Sequence, residues 1–194
     1  MKLTFQKTAL LNGINIVLKA VPSKTTMPIL ECILIDASTD EIKLTANDME
    51  LGIETKVEGD ILEKGKIVLD AKLFSEIARK LSDSDSLVTI ESDEKFNTVI
   101  TCENSVFKIQ GKDGEEFSYL PYIERNKSIT LSQFSLKEVI RQTIFSISAN
   151  DSNKMMAGEL LEVKDDFLKV VSLDGHRISI RNIQLKEHYD NHKV

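Results

Sequence analysis

Two short motifs place acidic and imidazole side chains close enough to do chemistry. Asp48 and Glu50 are two residues apart, a spacing that suits an acid–base pair or metal ligation. Asp174 and His176 flank Gly175, so a carboxylate lies near an imidazole that could act on a nucleophile. Both motifs consist of turn-forming residues, and no serine or cysteine nucleophile is placed convincingly beside His176. We predict a structural turn at each motif, with a small α+β enzyme or ligand-binding protein as the alternative.

The remaining reactive side chains give weaker signals. His188 and His192 have the i, i+4 spacing that binds a metal ion on a helix, but the residues between them are poor helix formers and predict a frayed tail. Cys32 lies in an apolar segment and is expected in the core, and the chain has only one other cysteine, Cys102. A glycine-rich phosphate loop is also missing from the sequence. We therefore expect no metal and no cofactor.

Composition narrows the class of protein. The 194 residues are 41% hydrophobic and 29% charged, with a net charge of −6. These values are ordinary for a globular protein and argue against a surface that coats nucleic acid uniformly. The sequence has no apolar run of membrane-spanning length and no secretory signal at the start, and two cysteines do not make a disulfide framework. A cytoplasmic protein without a membrane partner is expected.

The chain contains an internal repeat. Three segments starting at Lys2, Lys66 and Ser128 each open with a short alternating strand, continue into a helical period and lead into three strand-like segments. The spacing of the starts is about 63 residues. Strands of this type form antiparallel sheets with one buried face. The sequence therefore predicts an α+β fold of repeated strand-helix-three-strand units, with helices on one face of antiparallel sheets.

Each of the three predicted helices has one apolar stripe, and the second and third also have a signal for the helix N-terminus. Asp70 is placed as the N-cap of the second helix, and Ser135 with Glu138 has capping-box spacing in the third. The stripes comprise Leu10, Ile14, Val17, Leu18 and Val21, then Leu73, Phe74, Ile77 and Leu81, then Leu136, Val139, Ile140 and Ile144.

The strand-like segments and their connections define the expected domains. The three segments of each repeat cover 29–37, 41–47 and 50–59, then 86–92, 96–103 and 105–111, then 158–164, 167–173 and 176–185. A hinge bounded by Gly59 and Gly65 joins the first two repeats, and Asp165-Asp166 predicts a tight turn. We expect a first domain at 1–121, a linker at 122–127 and the first half of a second domain at 128–194.

Positive charge is concentrated on the predicted helices. The windows 7–20, 71–81 and 133–146 carry seven basic and two acidic residues, a net charge of +5 in a chain of net charge −6. Lys19, Lys72, Arg79 and Arg141 lie away from the apolar stripes and would form a cationic layer that attracts phosphate backbones without reading sequence. Solvent-facing helix surfaces are often basic as well, so this layer alone does not prove nucleic-acid binding.

Four segments resemble one protein family. They are KTTMPILECILIDA (24–37), LTANDMELGIETKVEG (44–59), EEFSYLP (115–121) and SLDGHRISI (172–180). In order and spacing along the whole chain they resemble the bacterial DNA polymerase III β subunit, or sliding clamp, family.

The resemblance implies a fold and a set of partners. Clamp subunits contain three similar domains, and two subunits close head-to-tail into a homodimeric ring around double-stranded DNA, with helices lining the hole. The ring is a non-catalytic processivity factor that tethers DNA polymerase III, interacts with clamp loader subunits and binds other replication and repair proteins. By this resemblance the chain corresponds to domain one and the first half of domain two.

The resemblance also implies roles for single residues. Lys24 matches a loop position that touches DNA, and Lys72 matches a basic position on a hole-lining helix. Leu81 and Phe107 match positions of domain one that pack against the other subunit.

A peptide-binding pocket is implied in the second domain. Asp174, together with the pocket residues Met156, Leu173, Gly175, His176, Arg177 and Ile178, matches one pocket region that receives short motifs of polymerases and repair proteins. The opposite wall would come from domain three. Leu173 replaces a usual threonine and Asn153 stands where arginine is common, so the polarity of the pocket is expected to differ.

Overall fold

The structure, a computed structural model, describes residues 1–81, 86–117, 120, 128–148 and 154–193. The chain folds into two compact units, Met1–Tyr122 (unit 1) and Ile123–Val194 (unit 2). The predicted linker at 122–127 and Asn153 lie outside the described residues.

Unit 1 contains the first two repeats. Its elements are β1 (Lys2–Gln6), α1 (Lys7–Val17), β2 (Cys32–Asp36), β3 (Ile42–Asn47), β4 (Gly52–Val57), β5 (Asp60–Glu63), β6 (Lys66–Asp70), α2 (Ala71–Lys80), β7 (Leu87–Ser92), β8 (Asn97–Cys102), β9 (Ser105–Gln110) and β10 (Lys112–Asp113). Short 3₁₀ helices cover Leu18–Ala20, Pro28–Glu31 and Gly114–Glu116.

The two repeats of unit 1 exchange their first strands. One antiparallel sheet has the order β5-β1-β7-β8-β9, and the other has the order β10-β6-β2-β3-β4. Thus β1 of the first repeat pairs with β7 of the second, and β6 of the second repeat pairs with β2 of the first. Each sheet is completed by the other repeat.

One hydrophobic core joins both sheets and both helices of unit 1. Leu10 and Ile14 of α1 and Phe74 of α2 are fully buried in it. Gly13 lets α1 approach the first-repeat sheet closely, because a Cβ at this position would lie 2.4 Å from Val57 Cγ2. The predicted apolar faces of the first two helices are therefore largely confirmed, although Leu73 is 45% exposed.

The predicted hinge between Gly59 and Gly65 is wrong. This segment forms β5, which pairs with β1 in antiparallel register and so becomes an edge strand of the second-repeat sheet. Ile61 packs against the shared core. The two adjacent apolar residues Ile61 and Leu62 form no alternating pattern, so the sequence could not distinguish an edge strand from a loop here.

Unit 2 differs from the predicted three-strand pattern. It contains α3 (Gln133–Thr143), 3₁₀ helices at Ile144–Ser146 and Lys154–Met156, and two long strands, β11 (Leu160–Leu173) and β12 (Ile178–Lys193). The two strands pair as one antiparallel hairpin. The α+β fold class is confirmed, whereas the third repeat has two paired strands among its described residues instead of three.

Two local predictions fail in this hairpin for the same reason. Asp165 has a positive φ of 56°, but it lies inside β11, where the register with β12 shifts on both sides of it. The predicted turn at Asp165-Asp166 is thus an irregularity within a strand. His188 and His192 belong to β12, and His192 pairs with Val163, so the predicted frayed tail is wrong as well.

The start of α3 also differs from the expectation. Ser132 is the N-cap, and its Oγ accepts a hydrogen bond from the Ser135 N–H at 3.0 Å. The predicted capping box of Ser135 with Glu138 is therefore wrong, since Glu138 pairs with Arg141. In α2 the predicted cap is confirmed, because Asp70 Oδ1 accepts from the Leu73 N–H at 2.7 Å.

None of the helices in the described residues is both long and apolar enough to cross a membrane.

The Asp70 cap gives a direct test of the α2 start. We expect Asp70→Ala to lower the free energy of unfolding by about 1 kcal/mol, because the Leu73 N–H loses its acceptor. Asp70→Asn is the matched control, since asparagine caps helices about as well as aspartate does. Urea unfolding measures both variants, and an equal loss in the two would contradict a capping role.

Candidate functional site

The solvent-facing side of α2 is basic. Phe74, Ile77 and Ala78 of this helix are buried in the core of unit 1. Lys72 and Arg79 lie on the opposite side, are exposed and form no ion pair in the described part of the chain. Because the core fixes the rotation of the helix, these two positive charges point into solvent.

Lys24 lies on an exposed loop between two 3₁₀ helices of unit 1. The loop is shaped locally, since Thr25 Oγ1 accepts a hydrogen bond from the Met27 N–H at 3.0 Å. Lys24 has no ion-pair partner among the described residues. Lys24 is thus sterically available for an anionic partner, as Lys19 is near the end of the first helical segment.

Two of the seven basic residues in the predicted helical windows have local partners in the described part of the chain. Lys7 is half-buried, and its Nζ donates a hydrogen bond to the carbonyl oxygen of Leu81 just after α2. Arg141 donates two hydrogen bonds to the Glu138 carboxylate, at 2.9 and 3.1 Å. This pairing lowers the pKa of Glu138 and raises that of Arg141. Lys7 does not belong to the solvent-facing layer, and the charge of Arg141 is partly compensated.

The Asp174-to-Arg177 segment is the turn that closes the β11–β12 hairpin. Leu173 and Ile178 are the last paired residues of the two strands, and Gly175 has a φ of +88° that favours glycine. Asp174 Oδ1 accepts from the His176 and Arg177 N–H groups, each at 3.0 Å, and Oδ2 accepts from Arg177 Nε at 2.9 Å. One carboxylate therefore holds the whole turn.

The same bonds stabilise the charged form of Asp174. The hydrogen bond from the His176 N–H, followed by those from Arg177, lowers the pKa of the Asp174 carboxyl below its ordinary value. An acid with a lowered pKa that already accepts three hydrogen bonds is a poor general base. The geometry favours the turn over the catalytic interpretation of Asp174 and His176.

Apolar side chains surround this turn without being buried. Ile178 and Phe145 are each 59% exposed. The Arg177 guanidinium carbon lies 5.9 Å from the centroid of the Phe145 ring, within cation–π range. Phe145 was not predicted as a site residue. Its position in an apolar stretch after the third helix was the available signal, but that signal is equally typical of a core residue.

Hydrogen bonds bring the other predicted pocket elements to the same end of unit 2. Ser146, next to Phe145, shares a 2.6 Å hydrogen bond between its Oγ and that of Ser179 on β12. Two residues later, the Ser148 N–H donates to the carbonyl oxygen of Met156 at 2.9 Å. Met156 is half-buried. The chain segments that carry Met156, Phe145 and Arg177 are therefore linked, which gives this end of unit 2 an apolar surface with a fixed cation.

The Asp48 motif is a turn, as predicted. Met49 has a φ of 76°, and Asp48 Oδ1 accepts from the N–H groups of Glu50 and Leu51 at 2.9 and 2.6 Å. The carboxylate is engaged in the connection between β3 and β4. Its geometry supports the structural interpretation.

The reactive side chains elsewhere have structural surroundings. Cys32 and Cys102 are buried free thiols, and burial raises the pKa of Cys32, which agrees with the predicted core position. His188 Nε2 lies 4.0 Å from Asp165 Oδ1 across the hairpin. Within the residues described, no group of three or more histidine, cysteine or acidic side chains is arranged to hold a metal ion.

The two predicted subunit-contact residues have different surroundings. Leu81 is 4% exposed and belongs to the core of unit 1, so little of its own side chain is available to a partner. Its side chain covers the core directly after the end of α2, and burial of this apolar side chain stabilises unit 1. Phe107 is half-buried on β9, unlike the core residue Phe74, and its neighbour Val106 is 58% exposed. Val106 thus leaves apolar area exposed on one face of β9, and Phe107 packs against the core of unit 1 on the other face.

Comparison with known proteins identifies the family. The model of the DNA polymerase III beta subunit, N-terminal domain, matches residues 1–121, and the model of its central domain matches residues 130–194. The chain belongs to the DNA polymerase III beta subunit family. Both matches follow the same order along the chain as the motifs that carried the resemblance.

Individual relatives agree with this assignment. The beta sliding clamp of Bacillus subtilis is 37% identical over 193 residues, covering 95% of this chain and 50% of that protein. A solved structure from Eubacterium rectale is 66% identical, with a TM-score of 0.92, and covers 100% of this chain and 52% of that one. The Bartonella birtlesii sliding clamp bound to griselimycin is 27% identical, with a TM-score of 0.87, over 96% of this chain and 51% of that one.

The chain spans about half the length of the curated relatives that it matches.

Titration of Asp174 tests the geometry of the hairpin turn. Because the folded-state pKa is lowered, the stabilisation from this carboxylate is present above the unfolded value of about 3.9. It is lost as the pH falls through the lower folded value. We expect the NMR carboxyl titration of Asp174 to have a midpoint below this unfolded value.

Arg177→Gln is the informative variant for this turn. It removes the guanidinium bond but keeps both backbone N–H donors, so the midpoint should rise only part of the way. A midpoint at the ordinary aspartate value in the unsubstituted protein would contradict the turn geometry.

Proposed function

We propose that this chain corresponds to about half of one subunit of a DNA sliding clamp, a non-catalytic ring that encircles double-stranded DNA and tethers DNA polymerase III. The observation that carries the proposal is the match of two successive family domains, in order, to residues 1–121 and 130–194. In the complete protein, two subunits would close head-to-tail. Clamp loader subunits and other clamp-binding replication and repair proteins are the further partners that we propose.

The charge distribution of unit 1 supports a sliding contact with DNA. We assign Lys24, Lys72 and Arg79 as phosphate contacts, because each is exposed and has no ion-pair partner in the described part of the chain. Arg141 is a weaker candidate, since Glu138 competes for its guanidinium. Contacts from flexible basic side chains attract phosphates independently of sequence, which is what a ring that moves along DNA requires.

The hairpin end of unit 2 supports a peptide-binding role. We assign Met156, Leu173, Gly175, His176, Arg177 and Ile178 to one part of a ligand pocket, and we add Phe145 to this set. The exposed side chains of Phe145 and Ile178 offer apolar contact area, and Asp174 fixes the direction of Arg177. Griselimycin, which is bound to the Bartonella birtlesii clamp, is a suitable ligand for testing this surface.

Domain and subunit boundaries follow from the same proposal. We place domain one at 1–121, the linker at 122–127 and the beginning of domain two at 128–194. Phe107 on the edge strand β9 is half-buried and is proposed to contact another subunit through its exposed part, while Val106, 58% exposed, lies on the opposite face of the same strand. Leu81 would support this contact from the core instead of touching the partner directly.

The dependence of binding on DNA topology distinguishes a sliding clamp from an enzyme. In the gene product that carries this sequence, we expect loading onto nicked circular DNA by a clamp loader, followed by release when the circle is cut. A ring leaves a linear molecule by sliding off its ends, whereas an enzyme that binds DNA would stay equally well on both forms. Retention that does not depend on DNA topology would argue against the clamp.

A charge reversal on α2 tests the DNA contact. Lys72→Glu should weaken DNA binding severalfold near 50 mM salt and reduce the slope of log affinity against log salt by about one. The matched control is Lys95→Glu, which makes the same charge change at an exposed position of the turn between β7 and β8. Fluorescence anisotropy at several salt concentrations measures both variants. An equal loss in both would show a net-charge effect without a specific contact.

A second pair of variants tests the hairpin end as a ligand site. Ile178→Asp should weaken griselimycin binding at least tenfold, or about 1.4 kcal/mol, because a charge in an apolar contact is costly to desolvate. His176→Gln keeps a planar hydrogen-bonding group without titrating, so binding should change little between pH 6 and 8. Calorimetry on the gene product provides the measurement. Loss of a hydrolytic activity in His176→Gln with unchanged ligand binding would favour the enzyme alternative.

A further inference from the structure

The third helix carries an aromatic side chain at a position that faces solvent in unit 1. Counted from the repeat starts, Thr8 of α1, Lys72 of α2 and Phe134 of α3 are equivalent, and all three are exposed. In unit 1 two repeats pack together around one core, and this position still stays in solvent. We therefore expect the exposure of Phe134 to persist when another repeat packs beside α3.

Phe134 differs from its equivalents in what it can bind. It is 75% exposed, more than any other phenylalanine among the described residues. Lys72, at the same position of α2, is one of the phosphate contacts that we propose. A phenyl ring has no charge for a phosphate, but its face stacks on nucleobases of any sequence. The exchange of an ammonium for a ring thus indicates a contact with bases at this position of α3.

A planar cation lies on the same side of α3. Arg141 follows Phe134 by seven residues, or about 10 Å along the helix axis, and its equivalents Asn15 and Arg79 are exposed in unit 1. The Glu138 carboxylate accepts hydrogen bonds from two nitrogens of the guanidinium, at 2.9 and 3.1 Å. This pairing fixes the plane of the group, and a guanidinium has five N–H donors, so others remain for a phosphate.

This combination suits a single strand better than a duplex. Neighbouring base pairs cover both faces of every base in a duplex, and a side chain reaches such a face only when the base is flipped out. Bases of a single strand are accessible to aromatic rings and guanidinium planes. A ring and a fixed planar cation on one helix face therefore match an unpaired strand.

We propose that the exposed face of α3 binds single-stranded DNA, with a base stacked on the Phe134 ring and the strand's phosphates near Arg141. This inference rests on the proposed function, because it requires α3 to face the DNA. It adds a preference for unpaired bases to the sequence-independent phosphate contacts proposed for unit 1.

Oligonucleotides with and without bases test the stacking contact. Fluorescence anisotropy on the gene product would compare a thymidine strand of about 16 nucleotides with an abasic strand of the same length and charge. The thymidine strand should bind more tightly. Phe134→Leu should lower the ratio of the two affinities at least about fivefold, because it keeps an apolar side chain but removes the ring. Phe134→Tyr should retain the ratio, since the ring stays.

The matched control is Phe167→Leu, which makes the same change at a phenylalanine of β11 that is 45% exposed. It should leave the ratio of affinities unchanged. Phe134→Trp provides a spectroscopic readout, because the 194 residues contain no tryptophan. The fluorescence that this variant adds should be quenched by the thymidine strand and not by the abasic strand, since quenching needs a stacked base.

Loading onto nicked circular DNA by the unsubstituted protein distinguishes this inference from the clamp proposal. If the protein loads but binds both strands equally, or if Phe134→Leu leaves the ratio of affinities intact, the stacking contact is wrong and the clamp proposal stands. An equal loss in Phe134→Leu and Phe167→Leu would also overturn it, because it would indicate unspecific binding to exposed apolar residues. Failure to load would instead contradict the clamp and with it the placement of α3 beside DNA.

Discussion

The reciprocal pairing of β1 with β7 and of β6 with β2 is the constraint on which unit 1 depends. Leu3 and Phe5 of β1 face the same core as Ile67 and Leu69 of β6, so neither repeat can bury its apolar residues by itself. Burial of large aliphatic and aromatic side chains contributes about 1.5–3 kcal/mol each. The exchange therefore makes the two repeats one cooperative unit. Strand β5 pairs with β1 and forms the edge of the sheet that contains β7.

This shared core also determines which charges reach solvent. Phe74 and Ile77 hold one side of α2 against the core, and the remaining side presents Lys72 and Arg79. Lys7 shows the opposite case, since its ammonium group is bound to the carbonyl end of α2 and stabilises the helix terminus. The solvent-facing side of α2 is thus basic because packing against the core determines which of its charged side chains reach solvent.

Unit 2 is organised around its hairpin end. The Asp174 carboxylate satisfies three donors of the turn, and the hydroxyl pair of Ser146 and Ser179 joins the segment after α3 to β12. These bonds position Arg177 over Phe145 while leaving Ile178 exposed. An exposed apolar patch with a fixed cation contributes little to stability, and this exposure is the physical basis of the ligand role that we propose.

Sequence patterns alone were enough to place the first two helices, two of the turns and the family. The 3.6-residue period placed Leu10 and Phe74 on buried helix faces, and Asp70 had the side chain and position that a helix N-cap needs. Local turn chemistry was equally readable at Asp48 and at Gly175, because short-range hydrogen bonds depend on neighbouring residues alone.

Tertiary structure decided the pairing of strands and the partners of side chains. The exchange of β1 and β6, the incorporation of β5 and the continuous path of β11 through Asp165 depend on residues far apart in sequence. The same holds for Leu81, which the core of unit 1 absorbs, and for Lys7, whose partner is 74 residues away. Sequence periodicity specifies which face of an element is apolar, whereas the identity of what covers that face is fixed only when the chain folds.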